Sequence, residues 1–249
     1  MKNFLFLIFL VYCLSFSRIS LQMSFASEKS SLIGMVLVPE GLYISGSNKY
    51  NDERPSRKIY LDTFYIDKFE VTQKEFKKIM NFNPSEFRGE SLPVDRVDWY
   101  QARDYCNKSG KRLPTEAEWE KSARSGSKSK YYWGEEIDDS YAWHWDNSGR
   151  KTRPVGEKKP NKLGLYDTAG NFWEWTADWY DQHYYQSRSL RNPKSPFNGK
   201  HRVLRGGSFM DKTDGLRVTR RNWDLPSAKF KNFGFRCVKN EKIKKNYQP

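Results

Sequence analysis

Hydrophobic positions recur at helical spacing in only three short stretches of this chain, and each stretch is opened by a capping signal. Thr72-Gln73-Lys74-Glu75 sets a hydroxyl three residues before a carboxylate. That reciprocal pair satisfies two otherwise orphaned N–H groups, and it predicts a helix reaching about Met80. Asp98 opens a second helix, with Trp99, Ala102 and Cys106 along one apolar stripe and a stop near Gly110. Thr115-Glu116-Ala117-Glu118, entered through Pro114, opens a third that runs to about Arg124. Elsewhere apolar residues come singly or as aromatics between Gly, Pro and Asn, a pattern of short strands and loops. After the Gly170-Asn171 turn signal the period changes to two. Asn171, Trp173 and Trp175 then face one way, and Phe172, Glu174 and Thr176 the other.

The segment around that turn, Gly164 to Tyr180, packs three Trp, two Tyr and three carboxylates into seventeen residues. Glu174 on such a buried, aromatic strand is unfavourable unless something pairs with it. Two partners are open. A hard cation held by Asp167 and Glu174, with backbone carbonyls between them, is one. An arginine is the other, and composition alone favours it.

Composition adds a compartment. Lys2, the apolar run from Phe4 to Phe16, and Ser24-Phe25-Ala26 before Ser27 read as a secretory signal over residues 1–26. The run is short for a membrane span and is broken by Arg18, so an exported chain, periplasmic or secreted, is expected and not an integral membrane protein. Residues 27–33 form a polar leader, 34–240 one domain, and 241–249 a charged tail. The formal charge is +14, two units less without Lys2 and Arg18. Such a charge favours anionic surroundings such as lipopolysaccharide, acidic glycans or lipid head groups. The basic residues are dispersed, so no nucleic-acid partner is expected, and a basic surface without a specific anionic ligand is the simpler reading. With Cys13 inside the signal, Cys106 and Cys237 remain, and two cysteines in an exported chain most simply form one disulfide. The aromatic content of 16% suits loops held by a wide ring-filled core.

Several blocks together resemble the formylglycine-generating enzyme family, also called the sulfatase-modifying-factor family. They are Met35-Val36-Leu37-Val38-Pro39-Glu40-Gly41, Phe69-Glu70-Val71-Thr72-Gln73, Pro93 to Trp99, Gly110 to Glu120, the Gly164–Tyr180 run, Arg205-Gly206-Gly207-Ser208 and Gly234-Phe235-Arg236-Cys237. The resemblance spans residues 34–240. It implies an α+β fold of the formylglycine-generating-enzyme type, a C-type-lectin-like variant with few helices, short strands and much irregular structure. It also implies the Cys106–Cys237 pairing.

What the resemblance implies for chemistry divides in two. The catalytic members hold copper(I) between two thiolates, the ligands that soft metal prefers. Here the first such position is Asp211 and the second falls near Leu216, with no cysteine anywhere between residues 107 and 236. Copper is therefore not expected. Trp173 and Ser208 match residues lining the substrate pocket. The family's calcium loop matches Asp167 and Glu174 through side chains and Gly170 and Phe172 through carbonyls, so one structural calcium is expected. A second, near Asn147-Ser148-Gly149, is not. His144, His183 and His201 show no metal-binding spacing, and no nucleophile elbow or phosphate-binding glycine loop occurs.

These readings favour an exported, calcium-stabilised binding or accessory module recognising a peptide, glycan or envelope protein. An oxidative maturation enzyme with a non-thiolate site of Trp173, Ser208, Asp211 and Arg205, acting in siderophore or peptide tailoring, is the alternative. A structural part of a surface apparatus is a third.

Overall fold

A computed structural model describes residues 32–241. The expected signal, most of the leader and residues 242–249 of the tail lie outside the described residues. The chain divides into residues 1–35 and 36–249, and the second unit carries the fold.

The three capping signals each start a helix. Helix α1 is Gln73–Met80, α2 is Trp99–Lys108 and α3 is Glu116–Arg124, with Thr72, Asp98 and Thr115 as their N-caps. In each, the cap side chain and the third residue's side chain bond reciprocally, through Glu75, Gln101 and Glu118. A one-turn helix α4, Tyr184–Ser187, and a 3-10 turn, Thr213–Leu216, carry no such cap and were not legible in the sequence.

The strands are short. They are β1 (Met35–Val38), β2 (Gly41–Ser45), β3 (Arg57–Leu61), β4 (Phe64–Asp67), β5 (Trp173–Trp179), β6 (Arg202–Arg205), β7 (Arg221–Asp224), β8 (Phe233–Gly234) and β9 (Val238–Asn240). They form sheets ordered β1-β4-β9, β2-β3 and β7-β6-β5-β8. In the last, β5 pairs antiparallel with β6, placing Glu174 opposite Arg205, and parallel with β8.

Alternation along β5 follows the expected period of two. Trp173 and Trp175 enter the largest core cluster, with Phe76, Val97, Trp99 and Phe235. Indole N–H groups close that core on backbone carbonyls: Trp175 Nε1 donates to Val97 O at 3.0 Å and Trp99 Nε1 to Thr176 O at 2.8 Å. Cys106 and Cys237 sit fully buried in the same cluster and are joined to each other, their Cα atoms 5.7 Å apart across 131 residues. Closing a loop of that length contributes about 4–5 kcal/mol in the chain-entropy model. No helix or strand is assigned between α3 and β5. Stacked rings order part of that stretch, with Trp133 between Tyr131 and Tyr141 at 4.8 and 5.2 Å.

Helix α3 turns its carboxylates inward. Glu116 and Glu120 are buried, and their partners are arginines from β6, β7 and α3 itself. Arg221 grips Glu116 with a two-pronged fork at 2.7 and 3.0 Å. Arg124 bonds Glu120 at 2.9 Å, and Arg205 approaches the same carboxylate at 3.3 Å. Opposite charges so close hold Glu120 at about 2, although burial alone would raise it.

Asp178, at the far end of β5, has no such partner. Burial and the nearby Glu116 charge push its carboxyl from 3.8 up to about 7, while it accepts a hydrogen bond from Glu116 N–H. The folded chain thus holds this proton more tightly than the unfolded chain does. The stability it supports is present below about pH 4 and is lost as the pH rises through about 7. Asp178→Asn keeps an acceptor for Glu116 N–H. It is expected to raise the unfolding free energy by about 1–3 kcal/mol at pH 8 and to change it little at pH 4, as read by urea titration.

Candidate functional site

Two polar centres lie beside the Gly170–Glu174 segment. The first is built on Glu174. Its carboxylate is fully buried and faces Arg236, with Nε to Oε2 at 2.7 Å and Nη2 to Oε1 at 2.6 Å. Trp119 Nε1 adds a third bond to Oε2 at 2.8 Å. Of the two partners open in the sequence, the structure therefore supplies the arginine. Arg236 also donates to Tyr166 O at 2.9 Å and to Asp67 O at 3.3 Å, tying the turn before β5 to the end of β4.

That pair does not neutralise the centre. Glu70 and Asp167 are buried beside it, at 1% and 2% exposure, so three carboxylates surround one guanidinium. Burial, then the Asp167 and Glu174 charges, hold the Glu70 carboxyl well above its usual range. Burial pushes Asp167 up to about 6, against the pull of Gly156 N–H and Arg236. Glu70 Oε1 accepts from Phe172 N–H at 3.0 Å and Oε2 from Asn171 Nδ2 at 2.6 Å, fixing the turn. Asp167 Oδ2 accepts from Gly156 N–H at 2.8 Å. Gly170 has φ +79°, and a Cβ there would lie 2.1 Å from Trp143 O, so only glycine passes.

The second centre is built on Ser208. Gly207, at φ +77°, lets the chain pass beside Gly215, where a Cβ would meet Gly215 O at 2.7 Å. Ser208, with no exposed surface, then donates to Asp211 Oδ2 at 2.5 Å and accepts from Asn232 Nδ2 and Met210 N–H, both at 3.2 Å. Asn232 O in turn accepts from Trp173 N–H at 2.9 Å. Ser208 is thus held by hydrogen bonds to Asp211, Asn232 and Met210, with no histidine base among them.

Of the four residues expected together, Ser208 and Asp211 bond directly, while Asn232 links them only to the backbone N–H of Trp173, whose indole lies in the core. Arg205 does not join them. Its side chain is fully buried against Glu116 and Glu120, and its Nη atoms donate to Val218, Thr219 and Arg220 carbonyls. It braces β6 against α3. Leu216, at the second thiolate position, is buried among Tyr131, Tyr132, Ala142 and Ala169.

Both cysteines among the described residues are spent on each other, and Asp211 offers oxygen, not sulfur. The donor set does not fit a two-thiolate copper(I) ion. Calcium is a different case. Among the described residues no three His, Cys, Asp or Glu side chains converge into a metal-holding group. An ion here would need backbone oxygens, and the expected set of two carboxylates and two carbonyls has that character. The excess of buried negative charge around Arg236 fits a hard cation.

A profile of the Sulfatase-modifying factor enzyme 1-like domain matches residues 22–241. The chain belongs to that family. Among relatives of this sulfatase-modifying-factor domain, the formylglycine-generating enzyme of Bos taurus is 32% identical over 277 residues, covering 82% of this chain and 74% of that protein. The serine/threonine-protein kinase pkn1 of Chlamydia caviae is 35% identical over 238 residues, covering 84% of this chain but 38% of the kinase. Among solved structures, Treponema denticola variable protein 1 superposes with a TM-score of 0.75 at 29% identity, covering 83% of this chain and 95% of that one. The sulfatase-modifying-factor fold and the disulfide match the reading of the sequence.

Sequence reasoning assigned no role to Glu70, Arg236 or Asn232. The first two lie inside the motif blocks, in Phe69-Glu70-Val71 and Gly234-Phe235-Arg236, and a demand for a countercharge to Glu174 was the available signal. Asn232 carried none. Arg236→Met leaves three buried carboxylates without a countercharge. It is expected to remove about 3–5 kcal/mol of stability at pH 8, with a smaller deficit at pH 5 where the carboxyls take up protons, measured by urea denaturation.

Proposed function

We propose that this chain is a binding or accessory module of its family that does not form formylglycine by the copper route. The observation that carries this reading is the Ser208–Asp211–Asn232 set. A carboxylate occupies the thiolate position, and it is tied to its neighbours. Such a set of hydrogen-bonding groups suits an extended peptide, whose main chain offers matching donors and acceptors. The tailoring-oxidase alternative loses Arg205 to the buried ion network and has no redox-active group of its own in the remaining three residues. Export to an oxidising compartment is part of the proposal, supported by the signal-like residues 1–26 and the Cys106–Cys237 bond.

The test is to load the purified chain with copper(I), add a Cys-x-Pro-x-Arg peptide and oxygen, and follow the peptide by mass spectrometry. No aldehyde is expected. Turnover above the protein-free control sinks the proposal.

Calcium enters the proposal as a structural ion. Asp167 and Glu174 would supply carboxylates and Gly170 and Phe172 carbonyls, with Glu174 shared between the ion and Arg236. Bound there, a divalent cation would offset charge that otherwise has to be titrated away. Added calcium is expected to raise the melting temperature by several degrees at pH 8, about 1–3 kcal/mol, and EGTA to reverse it. The gain should fade below about pH 6 as Asp167 takes up its proton. A melting temperature indifferent to calcium at pH 8 would leave Arg236 as the sole partner.

A further inference from the structure

Away from both centres, the loop that follows α3 lines a cavity that neither reading uses. Ser125 ends the helix in a left-handed conformation, and Gly126-Ser127-Lys128-Ser129-Lys130 runs on across the surface. With the β2–β3 connection it borders an open hollow of about 420 Å³, a size that holds a small ligand. Lys49, Lys128, Lys130, Arg124 and Arg217 contribute to its wall, against one acid, Glu135.

The two arginines are matched from behind. Arg124 bonds Glu120, and Arg217 bonds Glu53 at 2.9 Å and Asp214 at 3.1 Å. The lysines have no direct ion pair, although the Tyr131 hydroxyl and, more weakly, the Asp214 carboxylate raise the pKa of the Lys130 amine. No carboxylate among the described residues forms an ion pair with Lys49, Lys128 or Lys130, and the Glu135 carboxylate accepts from the Lys130 backbone N–H. Lys49 and Lys130 lie over Tyr50 and Tyr131 at 5.5 and 4.9 Å, which orients their amines without cancelling their charge. Arg217 lies beneath them, only 3% exposed, its guanidinium 3.9 Å over the Tyr50 ring. Hydroxyls of Ser47, Ser56 and Ser129 add polar groups to the lining.

A neighbouring hollow of about 470 Å³ shares Lys128 and Ser129 and carries Tyr132, Trp133 and Tyr141. Among its rings Trp133 stacks on Tyr141 and meets Tyr132 edge-on. Recognition falls to the amines and hydroxyls, which together read a compact, multiply charged oxyanion.

We propose that this hollow binds the phosphate monoester group of a small molecule or of a lipid head, held by Lys49, Lys128 and Lys130 with the serine hydroxyls. The site shares no residue with the Ser208 pocket or the Glu174 centre, so it stands or falls independently of the function proposed above.

Isothermal titration with inorganic phosphate and with glucose 6-phosphate, and co-sedimentation with phosphatidylcholine vesicles containing phosphatidic acid, test it directly. Saturable binding is expected that weakens as salt is raised. Lys128→Gln/Lys130→Gln should weaken it about tenfold or more, since each lost contact is a charge-assisted one. Lys77→Gln/Lys78→Gln, on the separate basic surface of α1, should leave it within about twofold. Melting curves confirm that both variants fold, the exchanged lysines being surface groups. Binding of the soluble esters alone identifies a free phosphate ligand, and binding of the vesicles alone a lipid head. Either supports the site. Absence of binding in all three assays, or an equal loss in the two double variants, overturns it in favour of diffuse charge.

Discussion

Arg236 and Glu174 hold the molecule together at the point where most of its parts meet. The pair joins the central strand β5 to the segment just before Cys237, and the same guanidinium reaches carbonyls of the turn at Tyr166 and the end of β4. Trp119 on α3 completes the carboxylate. A strand, a helix, a turn and the disulfide-bearing terminus are thereby referred to one fully buried ion pair. Such a pair is favourable only because its hydrogen bonds are completed, and breaking it would strand charge in the core. A fold with so little regular ladder has few other devices of comparable reach.

The same logic repeats around α3, where Glu116 and Glu120 are caged by Arg124, Arg205 and Arg221. Irregular backbone places strands and loops at angles that sheets would not impose, and directional charge pairs with large rings fix those angles. Where the pairing is incomplete, at Asp178 and among Glu70, Asp167 and Glu174, the carboxyls move toward neutrality or invite a cation. The chemistry open to the molecule follows from this division. Its buried acids brace the scaffold, and Ser208 sits in a hydrogen-bonded cluster without sulfur. Lys128 and Lys130 lie on the loop after α3, with Lys49 across from them on the β2–β3 connection.

Local signals were read correctly because they act over a few residues. Thr72, Asp98 and Thr115 cap helices through contacts three positions away, and the period of two on β5 is a property of the strand itself. The absence of a thiol at residue 211 and the Cys106–Cys237 pairing were also visible, since each depends on residue identity within recognisable blocks. Arg205 was misplaced for the opposite reason. It adjoins Gly206 and Gly207 in sequence, but β6 turns its side chain toward α3, away from the pocket that Ser208 enters two glycines later.

The chain alone thus determined its three capped helices, its central strand, its family and the absence of a thiolate at residue 211. Tertiary structure decided which charge answers which. Arg236 lies 62 residues from Glu174, Arg221 lies 105 from Glu116, and Asn232 lies 24 from Ser208. No periodicity connects positions so far apart. The loop lysines, dispersed among other basic residues in the sequence, became a site only when the β2–β3 connection folded against them.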